Sequence, residues 1–220
     1  MLIGTAAAVV VVAMGLAIVL GGRDQGHERV RSAAQARDLA RRVALTPADW
    51  GSGYVRSDPY ETDQVVQSIA DDSCTLSVRQ PVNELAALER NAQKSDRTVA
   101  DTSTVVVHRD TASATADIAR FRSDTRRCRT EYDSATKQKW EDVHAVDVPA
   151  LKGLKGLDEL SGEEGHQVAD EAGQKVDTYY TQLTGRKGQV VVQATVARSG
   201  GRGQNREEAA NALSLMLGRL

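Results

Sequence analysis

Residues 177–197 read DTYYTQLTGRKGQVVVQATVA. Two runs rich in Thr, Tyr and Val flank Gly185-Arg186-Lys187-Gly188, so the segment predicts a β-hairpin with strands over 177–184 and 189–197. In the second run Val190, Val192, Ala194 and Val196 share one side of the pleat, which gives that strand a buried face. Residues 199–204 read as a turn. Asn205, with Glu208 three positions on, reads as a cap that opens a terminal helix carrying Ala209, Leu213, Met216, Leu217 and Leu220 on one stripe.

Outward from the hairpin the pattern keeps changing period. Residues 138–148 (QKWEDVHAVDV) predict a strand, and the Thr/Val-rich run over 98–108 predicts another. Between them Ala114, Ile118, Phe121, Thr125 and Cys128 recur at helical spacing, so 111–131 predicts a helix. Val65, Val66 and Ile69 predict a short helix, Leu76 and Val78 a strand fragment, and Leu85 with Leu88 a helix over 83–94. Residues 153–173, rich in Gly and acids, read as a long loop. Thr46-Pro47-Ala48-Asp49-Trp50 reads as one capped helical turn that opens the folded unit. Strands alternating with helices and closing in a hairpin predict an α+β fold over 46–220, an antiparallel sheet with packed helices.

The N-terminus has a different character. Residues 1–22 carry no charged side chain, and 2–20 read LIGTAAAVVVVAMGLAIVL. A helix of that length spans about 28 Å, enough for the hydrocarbon core of a bilayer. The expectation is one N-terminal transmembrane signal anchor over 1–22, with a cleaved signal peptide as the rival and a buried globular helix as the third reading. Residues 23–45 then form a charged, Ala-rich juxtamembrane helix or stalk. On this reading the membrane is a partner through 1–22, and the protein is a single-pass protein of the cell membrane. Arg23, Arg29 and Arg31 follow the apolar run and favour a cytoplasmic domain by charge, whereas the cysteines below favour an extracytoplasmic one.

Composition removes several function classes. The 220 residues carry 28 Lys and Arg against 30 Asp and Glu, a net charge of −2, so no basic surface marks the chain for nucleic acid. The eight aromatic residues (two Trp, five Tyr, one Phe) supply no stacking platform for bases. No G-x-S-x-G elbow, P-loop or dinucleotide fingerprint is present. His27, His108, His144 and His166 lack metal-ligand spacing, and no cofactor, metal or catalytic set is expected. The arginines at 120, 122, 126, 127 and 129 read as a solvated helix face, with contact to anionic envelope polymers as the other reading. Cys74 and Cys128 are the only cysteines, 54 positions apart. In an oxidising compartment they form a disulfide; two buried thiols are the alternative.

The order of these features resembles the actinobacterial extracytoplasmic sensor-like domain family, the PknH-like extracellular sensor domains. The residues that carry the resemblance are Leu45-Thr46-Pro47-Ala48-Asp49-Trp50, then Cys74, the strand ending Val105-Val106-Val107, and the helix from Ala114 to Cys128. The hairpin around 185–192 and the terminal helix complete it. The resemblance covers about 46–220 and implies a mixed α/β fold with a groove that holds a ligand. Some members have two disulfides, and this chain has cysteines for one. No kinase domain is present, so kinase activity does not carry over.

The functional expectation is therefore a membrane-anchored extracytoplasmic sensor-like or ligand-binding module without catalytic activity. The alternatives are a structural or interaction protein of the cell envelope, and a hydrolase assembled from distant residues. Trp140, Tyr179 and Arg186 are the candidate groove residues for an unknown small ligand, and Tyr179 and Tyr180, adjacent in a strand, must face opposite ways.

Overall fold

Alternation of apolar and polar residues along 190–199 places that strand at the centre of an antiparallel sheet. The computed structural model describes residues 30–147, 156–171 and 174–220. In chain order the elements are α1 (Ala33–Val43), α2 (Pro47–Trp50), β1 (Tyr54–Thr62), β2 (Gln67–Ala70), β3 (Leu76–Arg79), β4 (Glu84–Lys94) and β5 (Val99–His108). There follow α3 (Thr111–Arg127), β6 (Glu131–Asp133), β7 (Gln138–Ala145), β8 (Glu159–Glu171), β9 (Gln174–Lys187), β10 (Val190–Ser199) and α4 (Asn205–Gly218). Eight strands form one sheet in the order β1-β4-β5-β10-β9-β8-β7-β6, and β2 and β3 form a separate hairpin. All named pairings are antiparallel.

The two faces of the sheet differ in kind. One carries the main core, where Val190, Val192, Ala194 and Val196 meet Val105, Val107 and Leu183 beneath α1 and α4. Helix α1 contributes Ala36, Ala40 and Val43, and α4 contributes Ala209, Leu213 and Met216, all buried. The other face lies under α3 and the β2–β3 hairpin, with only a small apolar cluster of Val65, Ala87, Val106, Ala114 and Val191.

Local chemistry fixes the ends of α1 and α2. Ser32 accepts from the backbone of Gln35, whose side chain reaches back to the Ser32 N–H, a reciprocal cap that satisfies two N-terminal donors. At the other end Arg90 of β4 donates to the carbonyls of Arg41 (3.2 Å) and Ala44 (2.8 Å), taking up acceptors that the helix leaves open. Asp49 accepts from both the backbone N–H and the hydroxyl of Thr46, and Arg219 from the end of α4 clamps the same carboxylate.

The structure supports the α+β class and corrects several expectations. No helix among the described residues is long and apolar enough to cross a membrane. The longest, α3, has 17 residues and carries charged side chains on several faces. The expected anchor over 1–22 lies outside the described residues. The transmembrane part of the fold, the membrane as a partner and the single-pass cell-membrane location are therefore withdrawn. Residues 33–43, expected in a stalk, are seated in the main core instead, because Ala36, Leu39, Ala40 and Val43 form an apolar stripe that the sheet covers.

Residues 84–94 form a strand where helical spacing predicts a helix. ELAALERNAQK is rich in helix formers, but β4 is hydrogen-bonded on both sides, to β1 and to β5, and that tertiary pairing outweighs a few tenths of a kcal/mol per residue of propensity. The short helix expected around Val65–Ile69 is strand β2 for the same reason, paired with β3. The long loop expected over 153–173 contains β8. Its apolar alternation is hidden because Gly162 stands where a side chain would face the core. A Cβ there would come within 2.8 Å of Val146 and 2.9 Å of Leu183, so neighbouring side chains already fill its place. Asn205 is not the cap of α4. Gln204 holds that position, and the buried Asn205 amide accepts from Arg198 and donates to the Tyr179 carbonyl.

Candidate ligand groove

The register of the sheet builds the floor of a groove. Two rows of partnered residues cross the strands on the α3 side. One runs Glu163, Gln182, Thr195, Thr102, Asn91, and the next Thr184, Gln193, Thr104, Glu89. Nearly every position is polar, in the middle of a sheet whose other face is Val and Leu. Helix α3 covers one end of this surface through Ile118 and Phe121, and the β2–β3 hairpin flanks it through Val65, Ser68 and Leu76. What remains open is a cavity of about 350 Å³, the size of a site for one small molecule.

The floor is held by its own hydrogen bonds. Gln193 donates to Gln182 at 2.8 Å, Thr195 donates to the same oxygen at 3.3 Å, and Thr104 lies 3.5 Å from Glu89. The hydroxyl of Thr184 is buried and has no hydrogen-bond partner among the described residues. A buried hydroxyl without a partner costs free energy on the order of 1–3 kcal/mol, and it stands in the groove lining.

One corner is acidic. Glu131 on β6 and Trp140 on β7 are cross-strand partners, so their side chains leave the sheet together on one face. Glu163 reaches the same corner from β8, accepting from Thr125 of α3 at 2.5 Å and from the Tyr180 hydroxyl at 2.8 Å. Tyr180 reaches it because its β8 partner is Gly165, whose missing side chain leaves room for the ring. A Cβ at Gly165 would lie 3.0 Å from two atoms of Tyr180.

Burial is the first cause of the electrostatics here. It pushes the Glu163 carboxyl above its ordinary range despite the two donors, and it raises Tyr180 too, beside the Glu163 charge. Glu131 is pushed up to about 8 by burial, then by the neighbouring Glu163 and Asp124 carboxylates. At the far end burial would also raise Asp117, but His108, Gln67 and Arg120 around it prevail and hold it low. Arg120 is 2.5 Å from Asp117, and Arg127 is 2.9 Å from Asp124. The lining as a whole sets five carboxylates against the single guanidinium of Arg120. Among the described residues no group of three or more His, Cys, Asp or Glu is placed to hold a metal ion.

A disulfide joins Cys74, in the turn of the β2–β3 hairpin, to Cys128 at the end of α3. Arg127 reinforces it by donating to the carbonyls of Ala70 and Asp71. The two walls of the groove are thus tied to each other as well as to the sheet.

The three expected groove residues separate. Trp140 lines the cavity. Tyr179 faces the other side of the sheet from Tyr180, as strand geometry requires, and stacks on His166 with 5.2 Å between ring centroids. Arg186 shares the α3 face but is buried beyond the groove, bound to Glu159 at 2.8 Å and Asp158 at 2.9 Å. Arginines along and just after α3 are likewise engaged within the fold: Arg122 holds Glu159 and the Leu160 carbonyl, Arg120 and Arg127 pair with Asp117 and Asp124, and Arg129 approaches Asp142. His108 and His144 do not meet, since β10, β9 and β8 lie between their strands.

Gln182, Gln193, Thr195, Glu131 and Glu163 are groove residues that the sequence reading missed. A signal existed in the odd-numbered positions opposite the valine face, where Gln193 and Thr195 interrupt what would otherwise be a second apolar stripe. Glu131 and Glu163 gave no such signal, because only the register brings them together.

No family model matches the chain, and no curated protein does. Among solved structures it is similar to the extracellular domain of PknH from Mycobacterium tuberculosis, with 12% sequence identity and a TM-score of 0.58 over 88% of this chain and 100% of that one. At that identity the likeness is one of fold alone and assigns no family.

Proposed function

We infer that the chain is a non-catalytic, extracytoplasmic, sensor-like domain that works by binding a small polar ligand in the groove on the α3 face. The observation that carries this reading is the floor itself. Two rows of Gln, Thr, Asn and Glu cross the middle of the sheet on the face opposite the main apolar core, beside a cavity and a Thr184 hydroxyl with no partner among the described residues. Convergent polar side chains lining a cavity are what fixes the orientation of a small polar ligand. The disulfide between the groove walls supports an oxidising compartment, and the likeness in fold to an extracellular domain agrees with it. Backbone NMR spectra of the chain, titrated with a library of polar fragments, test the reading. Shifts gathered on Trp140, Gln182, Gln193 and Thr195 support it. Fragment hits that shift only residues of α1 and α4 refute it.

A second reading, an interaction protein of the cell envelope, rests on a different feature. Val66, Val78 and Val82 are 52%, 67% and 66% exposed along and just beyond the β2–β3 hairpin. Three exposed valines in and around one small hairpin leave apolar surface of the kind that partner proteins cover. A photo-crosslinker at position 78 tests this in cells of the source organism. A single reproducible adduct supports a protein partner, and a diffuse ladder refutes one.

A further inference from the structure

We propose that the groove takes a small hydroxylated organic cation, its ammonium group seated against Glu131, Glu163 and the Trp140 ring and its hydroxyls on Gln182, Gln193 and Thr195. The proposal rests on the reading of the groove as a ligand site and adds the ligand's chemical class.

Charge is the first argument. Of the five carboxylates in the lining, Asp117 and Asp124 already have arginine partners, at 2.5 and 2.9 Å. Glu163 has two hydroxyl donors but no Lys or Arg ion pair among the described residues. Glu131 is only 8% exposed, its carboxylate has no hydrogen bond or ion pair among the described residues, and Arg127, which partly offsets its charge, is already paired with Asp124. A buried carboxylate without a countercharge is either protonated or waiting for one. Burial and its two acidic neighbours hold Glu131 up at about 8, so an ammonium group placed there supplies the charge that lets it ionise.

The second argument is the kind of cation. No cluster of three or more metal-ligating side chains exists among the described residues, so a compact metal ion finds too few donors. An indole beside a carboxylate suits an organic ammonium, which is attracted by both the charge and the ring face. Trp140 is the direct cross-strand partner of Glu131 and lines the same cavity.

The third argument is the rest of the floor. Gln193, Gln182, Thr195 and the unsatisfied Thr184 offer both donors and acceptors at short spacing. That pattern matches a ring or chain of hydroxyls and would be wasted on an apolar amine.

Isothermal titration of the full chain with glucosamine tests the class, with glucose and N-acetylglucosamine as uncharged counterparts. Phosphate buffer is needed, because Tris is itself a hydroxylated ammonium. The expected result is saturable binding of glucosamine, perturbation of the Trp140 indole resonance, and at least about tenfold weaker binding of both neutral sugars, the value of one charge-assisted contact. Glu131→Gln should weaken glucosamine by a similar factor and leave the neutral sugars unchanged. Equal binding of all three sugars, with Trp140 shifted, would overturn the cation and leave the groove as a ligand site. Absence of glucosamine binding, in a chain whose groove does shift with other polar fragments, would overturn the proposed class and not the site. Tight binding of calcium or zinc at Glu131, read by the same indole resonance, would also overturn it in favour of a metal.

Discussion

Replacing Glu131 by Gln should stabilise the protein at alkaline pH and leave it nearly unchanged in mild acid. Its ordinary value of 4.5 is pushed to about 8 in the fold, with burial as the first cause and the Glu163 and Asp124 carboxylates as the next, partly opposed by Arg127. Its surroundings comprise Trp140 on β7, Glu163 on β8, and Asp124 and Arg127 on α3. The folded carboxyl thus holds its proton over a range in which the unfolded one has lost it. Between about pH 4.5 and 8 the native state binds more protons, so each rise in pH in that window removes stability. At about 1.36 kcal/mol per pH unit the upper limit is roughly 5 kcal/mol by pH 8. Water entering the groove screens the charge, and about 2 kcal/mol is the expected remainder. Gln has the shape of the protonated acid and does not titrate. For a domain of this size that difference is about 4–8 °C in Tm. Thermal unfolding of both proteins at pH 5.0 and pH 8.5 measures it. Asp101, which burial pushes to about 7 on the other face, titrates in both and drops out of the comparison. A Tm difference of the same size at both pH values, or a wild type favoured at pH 8.5, would refute the reasoning.

Other outcomes follow from the same geometry. Arg186→Met leaves Asp158 without its guanidinium and Glu159 with only Arg122, so urea unfolding should show a loss of about 2–3 kcal/mol with groove binding intact; a stable variant with weakened binding would return Arg186 to the ligand. Converting Cys74 and Cys128 to Ser opens a loop of 54 residues and should cost about 4 kcal/mol in the chain-entropy model, and an unchanged denaturation midpoint under oxidising conditions would contradict it. Gly165→Val pushes the Tyr180 ring away from its place over that strand, so the Tyr180 hydroxyl signal should lose its hydrogen-bonded character toward Glu163; a spectrum like that of the wild type would argue against the close approach. Arg90→Ala removes both contacts at the end of α1, and hydrogen exchange should quicken in the last turn of that helix alone by about 1–2 kcal/mol of local opening.

Local signals and long-range ones had different fates. The hairpin of β9 and β10, helix α3 and helix α4 were legible because each rests on a period that its own residues display. β4 and β8 were not. In ELAALERNAQK the helical spacing of Leu85 and Leu88 is real, yet two flanking strands supply the hydrogen bonds that decide. In β8 the glycines that admit Val146, Leu183 and Tyr180 look from sequence like loop residues. Of the groove, Trp140 was readable as a large side chain in a strand, whereas Tyr179 and Tyr180 could be told to face opposite ways but not which way each faced.

By itself the sequence determined the α+β class, a central valine-faced strand, the single cysteine pair and the absence of catalytic motifs. These depend on neighbours in the chain and on composition, which a linear reading contains. Only the tertiary structure decided that α1 belongs to the core, that Cys74 meets Cys128 beside the groove, and that Glu131, Trp140 and Glu163 share a corner. Those facts depend on register. A slip of one residue in any strand turns its side chains to the opposite face, and pairing across the whole sheet settles which face becomes the groove.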